Sequence, residues 1–118
     1  MSSITPADAH FAEEAESPEL IRAKIIAETA RINWLDLQKF YAAGNVIHVE
    51  ATLDLIDVAF AFHQDQASQV AAWLSSKQIS RTFDGHAQAW YQAKTELWAV
   101  VVSPWVLVQD KPLTTQLN

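Results

Sequence analysis

A chain of 118 residues, half of them apolar and none of them cysteine, can build one hydrophobic core without disulfide staples. The missing thiols exclude thiolate nucleophiles and cysteine-based zinc or iron–sulfur sites. Eight Lys and Arg against fourteen Asp and Glu give a net charge of −6. The basic residues are scattered, so neither a nucleic acid nor an anionic membrane surface is expected as a partner.

Asp8, Glu13, Glu14, Glu16 and Glu19 precede the first basic residue, Arg22. Residues 1–17 read as a flexible acidic tail, residues 18–111 as a single α+β domain, and residues 112–118 as a loose end. No positive patch leads into an apolar run near the start, so no secretory signal is expected and the cytoplasm is the expected location.

Ser17 followed by Pro18 starts a helix: a hydroxyl N-cap, then proline where no amide hydrogen is needed, with Glu19 facing the positive end of the dipole. Its apolar side runs through Ile21, Ile25 and Ala27 as far as Ala30, leaving Arg22, Lys24, Glu28 and Arg31 to water. Asn33 caps a second helix, stapled by Ile32 and Leu37, with Trp34, Leu37, Phe40 and Tyr41 on one face. Gly44 and Asn45 close it. Val46 to Val49 is a short strand, with His48 and Glu50 exposed or at an edge. Thr52 is the expected cap of a helix from Leu53 to Phe62, and Asp65 that of another, with Ala67, Val70, Ala71 and Leu74 as its stripe. Gln78 to Phe83 reads as a strand, and Asp84 caps a helix that ends near Lys94 or Thr95.

Between Glu96 and Asp110 there is no charged residue, and Leu97 to Gln109 is rich in β-branched and aromatic side chains. It is short of the roughly 20 residues of a membrane helix and reads as buried sheet. One long strand kinked at Ser103-Pro104 is favoured, with a wider hairpin as the competitor. A tight two-residue hairpin is disfavoured because it wants positive φ where proline cannot supply it. The fold expected is a small antiparallel sheet packed by about five helices. Its core has the winged-helix-like order helix, strand, helix–turn–helix, strand.

Chemistry is hard to find. His10, His48, His63 and His86 make no His-x-x-x-His pair. The histidines read as ordinary surface or edge residues; the weak metal candidates are His48, Glu50, Asp54 and Asp57, the alternative being that His48 and His63 converge with Glu50 or Asp65. Capping and dipole complementarity already account for acids at a helix start. There is no Gly-x-Ser-x-Gly elbow, and two glycines cannot build a phosphate loop or a dinucleotide fingerprint. No cofactor is expected. In a transcriptional reading, the helix from Gln66 to Lys77 would present Gln66, Gln69 and Lys77 to DNA, but Asp54 and Asp57 on the preceding helix would repel the duplex. Five tryptophans are an excess for this length. They are read as core, their indole N–H groups hydrogen-bonded, with Trp98, Trp105 and Trp90 as candidates for an interface and Trp98 and Trp105 either covering opposite sides of the sheet or meeting neighbouring helices.

The run Glu96-Leu97-Trp98-Ala99-Val100-Val101-Val102-Ser103-Pro104-Trp105-Val106-Leu107-Val108-Gln109 resembles the bacterial domain-of-unknown-function family 2288. So do Lys24 with Glu28 to Ala30, Trp34 and Leu37 to Phe40 leading to Gly44, Leu53 to Leu55 with Val58 and Ala59, and Trp73 with Leu74. The resemblance spans about Leu20 to Gln109 and implies a bacterial cytoplasmic protein, with no activity attached. Similar proteins carry a glycine near Lys77, so Lys77-Gln78 disfavours a tight turn there. The function expected is a non-catalytic protein-interaction or self-associating module, with a protein partner or a homo-oligomer. The alternatives are a small enzyme or metal-binding protein using the carboxylate and histidine set, and a winged-helix-like transcriptional protein.

Overall fold

The computed structural model describes residues 17–110, and the expected tails lie, but for Ser17, outside them. In chain order the elements are α1 (Pro18–Glu28), β1 (Ala30–Asn33), α2 (Trp34–Ala42), β2 (Val46–Val49), α3 (Leu55–His63), α4 (Ala67–Ser75), β3 (Ile79–Arg81), α5 (Asp84–Ala93), β4 (Glu96–Val102) and β5 (Trp105–Gln109). The strands form one sheet in the order β1-β4-β5-β2-β3. The fold is α+β, and α2 to β3 keeps the winged-helix-like order of helix, strand, two helices and strand.

Two helix starts are as the sequence places them. The Ser17 hydroxyl accepts from the Leu20 amide at 3.2 Å, and the Asn33 side chain from the Leu35 amide at 2.9 Å. Three differ. Asp54, not Thr52, caps α3 by accepting from the Ile56 amide at 2.8 Å. Before it the chain turns, with the Leu53 amide on the Glu50 carbonyl. Asp65 precedes α4 without capping it, and Asp84 lies inside α5. There its carboxylate accepts from the Tyr41 hydroxyl of α2.

Four helices close in one way. After α2 the amides of Gly44 and Asn45 reach back to Tyr41 and Phe40, and after α4 those of Lys77 and Gln78 reach Leu74 and Trp73. After α3 the pair is Asp65 and Gln66, and after α5 it is Lys94 and Thr95. Each closure needs one left-handed residue, and only Gly44 enters that region free of a Cβ penalty. Asp65, Lys77 and Lys94 take φ of 55°, 64° and 53° instead. The tight turn at Lys77 therefore forms without glycine, held by its two backbone bonds.

α1 ends earlier than its apolar pattern suggested. Thr29 turns extended, its hydroxyl donating to the Ile25 carbonyl at 2.7 Å, and Ala30 to Asn33 pair with β4 instead of continuing the helix. The sheet is mixed, where an antiparallel one was expected. β1–β4, β4–β5 and β2–β3 are antiparallel, but β5 inserts beside β2 and runs parallel to it. The intervening α3, α4 and α5 supply the long crossover a parallel pair requires.

The favoured kinked strand is a hairpin. Val102 pairs directly with Trp105 across Ser103 and Pro104, whose peptide bond is cis. The objection to a two-residue turn held for primed turns with a trans proline. A cis proline at the third position reverses the chain without positive φ.

Helices cover both faces of the sheet. α1 and α3 pack on Ile47, Val49, Trp98, Val100 and Leu107, while α2 and α5 pack on Val46, Leu97, Ala99, Val106 and Val108. Leu97 and Leu107 are fully buried. Burial of such a side chain contributes about 1.5–3 kcal/mol, so the late apolar run is a major source of stability. α4 is the exception among the helices. It has no buried residue and touches the core only through the partly buried Val70 and Trp73.

Candidate functional site

β3 is an outer strand, and beside it runs a groove of about 520 Å³ lined by Glu50, Leu74, Lys77, Ile79, Ser80, Arg81, Phe83 and His86. Local rules build each wall. α4 stops at the left-handed Lys77, which throws Leu74 and Lys77 to one end of β3. At the other end Phe83 precedes α5 in extended conformation, and its ring lies 4.2 Å from that of His86. A Cβ on Gly85 would stand 3.2 Å from the Phe83 ring, so glycine leaves the space in which that ring sits. Leu74 is 48% exposed and Phe83 59%.

Behind the groove lies an aromatic stack that the sequence reading missed. His48 on β2 lies 4.4 Å from His86, which stacks on Trp90 at 5.2 Å and 13°. Burial, then the neighbouring His86, pushes the His48 pKa down, with Glu50 and Asp110 pulling the other way. His86 Nδ1 is buried without a hydrogen-bond partner. Two signals for this stack were in the chain: His86 and Trp90 are four apart on a helix, and His48 shares strand parity with the buried Val46.

The metal candidates do not meet. Asp54 caps α3, Asp57 pairs with Arg22 of α1 at 2.5 Å, and Glu50 lines the groove. His48 faces α5, on the side of the sheet away from α3, so it does not approach His63. His63 instead contacts Gln64 at the exposed end of α3. Among the described residues no three of His, Asp and Glu converge as a metal would need.

Of the interface candidates, Trp90 and Trp98 are core residues, 5% and 3% exposed. Trp105 is half-buried, with the Arg81 guanidinium 5.4 Å from its ring. It walls a crevice of about 200 Å³ at the α3–α4 corner. Trp98 and Trp105 pack on the same face, not on opposite ones. The indole N–H groups of Trp34 and Trp98 are buried with no hydrogen-bond partner, contrary to the expectation that the core tryptophans would be bonded.

The sequence also left the end of the late motif unexplained. Gln109 is fully buried and donates from Nε2 to the carbonyls of Glu50 at 2.9 Å and Leu53 at 2.7 Å. It pins the turn from which both Glu50 and the α3 cap are set.

A family model described as "Protein of unknown function (DUF2288)" matches residues 20–110. The chain belongs to the DUF2288 family. Among solved structures, this DUF2288 protein is similar to PA1075 from Pseudomonas aeruginosa, determined by NMR in solution. The two are 41% identical with a TM-score of 0.70, over 83% of this chain and 91% of that one. No curated protein matches. Among the described residues, no helix of this DUF2288 protein is long and apolar enough to cross a membrane.

Proposed function

We propose that this chain is a non-catalytic protein-interaction module, working in the cytoplasm, whose contact surface is the groove along β3. One observation carries the reading: a groove beside β3, outermost of the strands among the described residues, is flanked by two exposed apolar side chains, Leu74 and Phe83. Exposed apolar and aromatic side chains beside a groove supply the anchor that binding surfaces use. The weakly covered α4 extends the same surface. Reactive groups nearby are already engaged in packing: His86 in its stack and Arg81 against Trp105.

The test is a photo-crosslinking phenylalanine analogue at Phe83, activated in cells producing the protein. Adducts of one or a few discrete masses are expected. The same analogue at Gln92, exposed on α5, serves as control. No adduct at Phe83 beyond the Gln92 background refutes the reading.

A further inference from the structure

We propose that the groove takes an acidic segment of a partner protein, one of its carboxylates on Arg81, a second on Lys77, and an apolar side chain between Leu74 and Phe83. This rests on the interaction reading above and gives the chemistry of the partner.

The three arginines of the chain share one arrangement, and Arg81 lacks a part of it. The Arg22 guanidinium lies 4.4 Å from the centre of the Phe60 ring and pairs with Asp57 at 2.5 Å. That of Arg31 lies 5.5 Å from the centre of the Trp98 ring and faces Glu96 at 3.6 Å. Arg81 has its ring, Trp105 at 5.4 Å, but among the described residues no carboxylate pairs with it. Gly44 backs it on another side: a Cβ there would stand 3.4 Å from the Arg81 Nη1. A guanidinium stacked on a ring keeps its donor edge free and already ordered, so little freedom is lost when a carboxylate takes two of its N–H groups. Arg81 is exposed and lines the groove.

Charge along the groove points the same way. Lys77, four residues before Arg81, also lines it and has no acidic partner among the described residues. An extended segment advances about 3.3 Å per residue, as β3 does, so acids about four residues apart reach both cations. Ile79 between them is 1% exposed, so the segment is held by the side chains flanking β3 and not as an added strand. Glu50 lines the groove as well and weakens the positive field. Two cations on a chain of net charge −6 are too few for a nucleic-acid backbone, whereas a short acidic segment needs no more.

The test uses the photo-crosslinking analogue at Phe83, with the captured segment sequenced by mass spectrometry. It is expected to hold two or more Asp or Glu close to the crosslink and no Lys or Arg. Lys77→Glu is expected to cut the adduct yield about fivefold or more, and Glu50→Gln to raise it, by reversing or removing charge facing the segment. Arg81→Lys keeps the charge but not the fork and is expected to cut the yield about threefold or more. Lys39→Glu, on α2 outside the groove, is the control for net charge, and thermal melting checks that each variant is folded. Replacing an acid of the captured segment by Lys is expected to restore the Lys77→Glu yield. A captured segment without acids, or a yield from Lys77→Glu or Arg81→Lys equal to that of Lys39→Glu, overturns the inference and leaves the interaction module standing. No adduct at Phe83 removes both.

Discussion

Replacing Gln109 with leucine removes two hydrogen bonds from a fully buried site, and the cost can be worked from the geometry. Each neutral bond contributes a net of about 1 kcal/mol, so the two lost bonds to Glu50 and Leu53 come to about 2 kcal/mol. The Glu50 carbonyl keeps the Leu53 amide as its donor, so no desolvation penalty is added for it. Against this, leucine deletes Oε1, which is buried and unpartnered, and contributes apolar burial of roughly 1 kcal/mol. The net expected is a loss of about 1–2 kcal/mol, or roughly 5–10 °C in melting temperature for a domain of this size. Urea unfolding followed by tryptophan fluorescence measures it. Hydrogen exchange locates it, with amides from Glu50 to Ile56 losing more protection than the β4–β5 hairpin. Gln109→Glu aims a carboxylate at two carbonyls, so its folded-state pKa is raised. Its deficit is therefore expected to shrink as pH falls from 7 toward 4. A Gln109→Leu variant within about 0.5 kcal/mol of the parent would refute the clamp, since surface changes stay within that range.

The remaining expectations concern local energetics. His48 has a folded pKa below its ordinary value, so the unfolded chain takes up the proton first. Stability should be full above about pH 6.5 and fall as the pH drops toward the folded value. His48→Phe should flatten that part of the curve, and an unchanged slope in pH-dependent denaturation would contradict the assignment. Lys94 sits at φ 53°, so Lys94→Gly should stabilise by about 0.5–1 kcal/mol, net of the entropy glycine adds to the unfolded chain. A loss of stability on urea unfolding counts against it. The Arg22–Asp57 pair is exposed at both partners, and a double-mutant cycle should give a coupling of no more than about 1 kcal/mol. Arg22→Ala alone should cost more than Asp57→Ala, because the guanidinium also lies 4.4 Å from the Phe60 ring.

Of the candidate site, the sequence exposed parts without their assembly. It marked Leu74 as part of an apolar stripe, disfavoured the tight turn that Lys77 in fact makes, and grouped Glu50 with Asp54 and Asp57. It could not make them neighbours of Phe83 and His86, which arrive from a different helix and strand. Nor could it see that Asp57 serves Arg22, a residue 35 positions away. The carboxylates looked like a set because they are close in the chain, and they separate because α3 spends each one on a different neighbour.

The chain by itself determined the helix starts at Ser17 and Asn33, the closure at Gly44 and the buried character of Leu97 to Gln109, because capping, left-handed glycine and apolar patterning act within a few residues. Tertiary structure decided what parity alone leaves open. Trp98 and Trp105 are an odd number apart, so one continuous strand would send them to opposite faces, whereas Val102 opposite Trp105 puts both on one. The same holds for the short β1 and for β5 parallel to β2: both depend on a partner strand far off in the chain, and backbone hydrogen bonds between distant segments leave no local signature.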